Sequence, residues 1–187
     1  MNNKIENKTK DRTKINKDKK KYIARIVFGI MFLITCLFIF IFSSDNGDKS
    51  TDKSMGTMKT IVSVFEKDSS KLEETTKKYE PLLRKLAHFS IYTMLGIWSM
   101  SFISTFNIKN NSNKNEKEKE IDEFYKRLFI VILFGMLYAC SDEFHQLFVS
   151  SRSGSFMDVF IDSMGVTNGA LIVETLRKTY KYFKNIT

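Results

Sequence analysis

Residues 139–169 read ACSDEFHQLFVSSRSGSFMDVFIDSMGVTNG. The segment lies inside two apolar runs and the short turn between them. Yet it carries Asp142, Glu143, Arg152, Asp158 and Asp162, with His145 besides. An ionisable side chain at the centre of a membrane helix costs roughly 2.5–3.5 kcal/mol on insertion scales. Several together are tolerated only where they face protein or a wet cavity, so this stretch marks a candidate site.

Outward from it, the chain sets the frame. Hydrophobic residues make up 43% of the 187. They gather in four runs of about 20, the length that crosses a bilayer as a helix. The expected fold is therefore all-α: an integral membrane protein with four transmembrane helices, at 23–42, 81–106, 128–149 and 156–176. One membrane domain, 23–176, would carry linkers at 43–80 and 107–127. It would lie between a disordered basic tail at 1–22 and a second basic tail at 177–187. The first run is too long for a cleaved signal peptide and no small-x-small site follows it, so it reads as an uncleaved anchor. Residues 61–65 suit a short surface helix, and 107–127 a low-complexity flexible loop. Pro81, the single proline, suits the first turn of the second span, where its missing N–H costs nothing.

Lys and Arg set the orientation. Residues 1–22 hold nine, 107–127 six and 177–187 four; on the other side 43–85 hold nine and 150–155 one. Long loops weigh little, so the amino terminus and the short tail decide, and both termini should be cytoplasmic. The net charge of +9 then reads as membrane orientation and attraction to anionic lipid. Nucleic-acid binding is excluded, because no aromatic or helix-turn-helix context accompanies the charge. Cys36 and Cys140 form neither a metal pair nor a disulfide framework.

This topology brings the ionisable residues to one depth. His88 stands about two turns into the second span, and Asp142, Glu143 and His145 about 20 Å along the third. Asp158 and Asp162 begin the fourth, and Arg152 sits in the turn. All fall in the outer leaflet. Lys85, His88 and Tyr92 share one helical face, and Asp142, His145 and Gln146 another. Asp158, Asp162, Gly165 and Gly169 form one stripe, whose lower half is a small-xxx-small packing face. Carboxylates are disfavoured at a helix C-terminus, so Asp142 and Glu143 need a cation there. Arg152, Lys85, a protonated histidine or a bound metal could supply it. The outward N-termini of the second and fourth spans favour anions.

The segments RKLAHFSIYTMLG and SDEFHQLFVSSRSGSFMDVFIDSMGVTNG resemble the VanZ-like family of small bacterial membrane proteins, over 84–169 apart from the second linker. The pattern is Lys-x-x-His-Phe, Asp-Glu-x-His-Gln, an Arg, then Asp-Val-x-x-Asp-x-x-Gly. Members often carry Pro or Gly before the Arg, where this chain has Ser150 and Ser151. They often carry Asn at the position of Asp162. The resemblance implies a cell-membrane, multi-pass protein with a role of the glycopeptide (teicoplanin) resistance type; it implies no settled activity and leaves any cofactor unknown.

Two classes of function follow. In the first, the chain acts at the outer leaflet on an anionic envelope molecule, such as a lipid-linked precursor or a phospholipid head group. Asp142, Glu143 and His145 would be acid and base. Lys85, His88, Gln146, Arg152, Asp158 and Asp162 would bind the substrate. A metal is a variant of this reading: the residue types suffice, at the spacing of no short metal motif. In the second, the protein is not an enzyme; its polar cluster holds the helices together while it modulates antibiotic access or assists a partner. Asp158, three residues after Ser155, would then be the acid of a capping box. Arg84 would be a snorkelling flank, and Tyr92 and Gly96 packing residues. Transport is disfavoured, because the charges do not continue to the inner side.

Overall fold

A computed structural model describes residues 2–106 and 115–186. Five helices follow one another: α1 (Asn2–Ser44), α2 (Gly47–Val62), α3 (Ser69–Ile103), α4 (Glu116–Gln146) and α5 (Phe156–Ile186). There is no strand among the described residues. Four of the helices, all but α2, are long and apolar enough to cross a membrane.

The helices overrun the expected spans wherever the flanking sequence lacks breakers. The stretch 1–22, expected as a disordered tail, instead supplies the start of α1 from Asn2 onward. It has no Gly or Pro, its lysines are good helix formers, and extension from an existing helix costs no new nucleus. Likewise α4 begins at Glu116 rather than at 128. Asn115 caps it in a full capping box with Glu118, so half of the expected loop is helix. Residues 107–114 of that loop lie outside the described residues. The basic tail continues α5 through Ile186.

The linker at 43–80 is also mostly helical. Asn46 caps α2 and Asp68 caps α3, each accepting from a backbone N–H two residues on. Residues 61–65 are the frayed end of α2 and the turn after it, not a separate surface helix. Pro81 lies inside α3, not in its first turn. It leaves the Lys77 carbonyl without a helical donor.

Core packing is led by α3 and α5. Tyr92, Leu95, Val166 and Ala170 are fully buried there. The close approach depends on glycine. A Cβ on Gly96 would meet the Val166 carbonyl oxygen at 2.1 Å, and one on Gly169 the Thr93 oxygen at 2.1 Å. On Gly165 it would meet the Phe89 oxygen at 2.6 Å. The small-residue stripe therefore does press α5 against α3. Helix α1 is tied to α4 by the Tyr138 hydroxyl donating to the Cys36 carbonyl at 2.7 Å. It is tied to α3 by Arg25, which donates to the Thr105 carbonyl and covers the Phe106 ring.

Candidate functional site

The C-terminal ends of α1 and α4 and the N-terminal end of α5 meet beside the middle of α3. Between α3, α4, the 147–155 turn and α5 lies a cavity of ≈290 Å³. Seven of the nine residues named from the sequence line it: Lys85, His88, Glu143, Gln146, Arg152, Asp158 and Asp162. Asp142 lines another cleft, between α1 and α4. One ligand-type atom each of His88, Asp142 and Asp162 lie within 4.8 Å of one another.

His145 is the exception. It stacks on Phe40 with ring centroids 4.9 Å apart and shares a 3.2 Å hydrogen bond with the Ser44 hydroxyl. It borders a different cleft, with Tyr138 and Phe148. On α4, Asp142 and Gln146 are four apart and stay on one face. His145, three from Asp142 but one short of Gln146, is rotated toward α1.

The carboxylates on α4 are explained by the turn that follows them. Residues 147–155 fold back so that Glu143 accepts the Ser155 N–H at 2.8 Å, at the start of α5. An acid at the unfavourable end of α4 is thereby an acid at the favourable end of α5. Gln146 donates to both Asp142 (3.3 Å) and Glu143 (3.2 Å). The Ser155–Asp158 capping box does not form, because Glu143 takes the Ser155 N–H that Asp158 would have accepted. Asp158 instead lies 3.7 Å from the Lys85 ammonium.

Arg152 makes no ion pair with Asp142 or Glu143. It donates to the Phe42 carbonyl at 3.2 Å, one of the last carbonyls of α1, and its Nε is buried without a partner. Burial holds its guanidinium below the usual arginine range, and the nearby Arg84 adds like-charge repulsion. The turn carrying it is fixed by Ser151 in the left-handed region (φ 59°) and by the Gly47 N–H donating to Ser150 O at 3.0 Å. A side chain at Gly47 would overlap the Ser151 carbonyl.

Two neighbours were not assigned to the site from sequence. Arg84 lines the cavity instead of snorkelling and donates to Thr51 of α2 at 3.2 Å. Glu80, buried, accepts from Ser54 of α2 and lies 3.8 Å from Arg84. Spacing carried a signal for both: Glu80, Arg84 and His88 follow at i, i+4 and i+8, on the face of α3 that holds His88.

A second cavity, ≈390 Å³, adjoins the first on the α1 and α2 side. Arg84, His88 and Arg152 line both. Its remaining wall exposes mostly apolar surface, from Ile39, Phe42, Leu83, Ala87 and Ile91, and is completed by polar residues of α2 and the α1–α2 turn, Asp45 and Lys53 among them. A polar chamber and an apolar one thus share a cationic partition.

The sequence model described as VanZ/LLP1 matches residues 28–177, which include every residue of both cavities. No curated protein and no solved structure matches the chain.

Proposed function

We propose, from the premise that the chain belongs to the VanZ/LLP1 family and is a multi-pass membrane protein, that it binds an anionic amphiphile of the cell envelope at the outer leaflet. The observation that carries this reading is the shared partition. Arg84 and Arg152 both line a polar chamber on one side and a mostly apolar one on the other, and Arg152 feels like-charge repulsion from Arg84 that Asp142, Asp45 and Glu143 offset in part. An anion between the guanidiniums relieves that repulsion, and a phosphate or carboxylate accepts from such a fork at two points. A chain from the same molecule fits the apolar side. Lys85 adds a third cation. The volumes suit a head group and a segment of acyl or prenyl chain.

Placement in the outer leaflet rests on the distribution of Lys and Arg in the sequence. A protein that holds such a molecule there would alter what a glycopeptide meets at the surface, so a change in teicoplanin tolerance is the cellular consequence. A structural role for part of the cluster is favoured by one observation. Glu143 is already committed to the Ser155 N–H and to Gln146, so it serves the α4–α5 turn.

The test is mass spectrometry of lipids that stay with the full chain purified from bacterial membranes. The wild type should retain an anionic lipid or lipid-linked precursor, and Arg152→Ala should lose it. Retention of no anionic lipid by the wild type, or equal retention by a folded Arg152→Ala, overturns the reading.

A further inference from the structure

Asp162 is fully buried, and neither of its carboxylate oxygens has a hydrogen-bond partner. It heads the glycine stripe along which α5 packs closely on α3, at Gly165 and Gly169. Asp142, 5% exposed, adds a second carboxylate. His88 Nδ1 is likewise buried and unpartnered, 3.6 Å from Asp162 Oδ2. Two carboxylates and an imidazole nitrogen therefore converge, and Lys85 is paired with Asp158 instead. Asp142 accepts from the Gln146 amide at 3.3 Å, whereas Asp162 accepts from no donor; a buried carboxylate left without a donor calls for a cation.

The geometry points to a binding site for one divalent metal ion, held by His88 Nδ1, Asp142 and Asp162. The three ligand atoms lie within 4.8 Å of one another. A point central to atoms so spaced sits under about 3 Å from each, and small side-chain rotations close this to the roughly 2.0–2.2 Å of a metal–nitrogen or metal–oxygen bond. One imidazole and two carboxylates suit a borderline cation such as Mn²⁺ or Zn²⁺ better than Ca²⁺, which takes oxygen ligands only, or Cu(I), which seeks sulfur. Three protein ligands leave a position open. His88 and Asp162 both line the polar cavity with Arg152, and Asp142 lines the cleft beside His145. The metal site rests on these three residues and stands whether or not an amphiphile binds next to it.

The full chain in detergent micelles, stripped with chelator, is titrated with Mn²⁺ and separately with Zn²⁺, followed by calorimetry and elemental analysis after gel filtration. The wild type should retain about one equivalent of one of these metals, and its Tm should rise with metal, because the ion binds the folded state. Asp162→Asn and His88→Phe should each lose the retained equivalent and the Tm response. His145→Gln, which alters a histidine outside the triad, should keep both. A wild type that retains neither metal overturns the proposal. So does retention by a folded Asp162→Asn or a folded His88→Phe, or loss in a folded His145→Gln. His88 is partly exposed, 31%, so His88→Phe remains a fair test if Asp162→Asn fails to fold.

Discussion

Arg152 joins two tasks in one side chain, and substitution should separate them. One end donates to the Phe42 carbonyl of α1; the rest faces the cavities. Arg152→Lys keeps the charge and loses the fork, so it should fold as the wild type and lose most anionic lipid in the same mass-spectrometric assay. Arg152→Ala should in addition lower stability slightly, by about 1 kcal/mol or less, because the hydrogen bond is partly exposed. Glu143 should behave in the opposite way. Glu143→Gln keeps an oxygen for the Ser155 N–H and should be mild. Glu143→Ala strands that N–H and one donor of Gln146, costing about 1–3 kcal/mol. Thermal unfolding in detergent checks both. Most of the site was legible in the sequence because charges at membrane depth must converge somewhere, and seven of the nine named residues do line one cavity. His145 shows the limit. Helical spacing ranks faces but does not say which neighbour each face meets, and here the neighbour is α1, through Phe40 and Ser44. The same limit applies to Arg84: the partner that holds it, Thr51, sits on α2, a stretch whose composition points to a linker.

At the scale of elements, the α3–α5 seam and α2 give opposite meanings to glycine. Gly169→Ala and Gly96→Ala place a methyl carbon against backbone oxygen at about 2 Å, which only a shift of a whole helix can relieve. Each should cost about 1–3 kcal/mol or more, as overpacking does. Gly56, inside α2, has nothing within 4 Å of its would-be Cβ. Gly56→Ala should therefore stabilise the protein by about 0.5–1 kcal/mol through helix propensity alone. Melting curves of the three variants, measured in one detergent, decide this. The four apolar helices were readable because hydropathy and length fix them. Their ends were not. Polar Lys-, Glu- and Asn-rich sequence carries no periodic apolar face, so composition suggested linker, while the absence of breakers and the caps at Asn46, Asp68 and Asn115 made helix.

For the whole molecule, sidedness is the property on which function turns. The basic flanks carry the expectation that both termini are cytoplasmic. Reporter fusions at Asn113 and at the carboxyl terminus should then read cytoplasmic, and one near Ser70 external. An external carboxyl terminus would move both cavities to the inner leaflet and rule out action on a surface molecule. The shared partition of Arg84, His88 and Arg152 also bears on how the protein behaves once outside its bilayer. A surfactant is itself a short chain with a polar cap, the same class of molecule that such paired chambers accept. Sulfate- and carboxylate-headed surfactants should compete for the site, whereas maltoside heads, which carry no charge, should leave a native occupant in place. The solubilising agent thus becomes a competitor whose head group decides what is recovered.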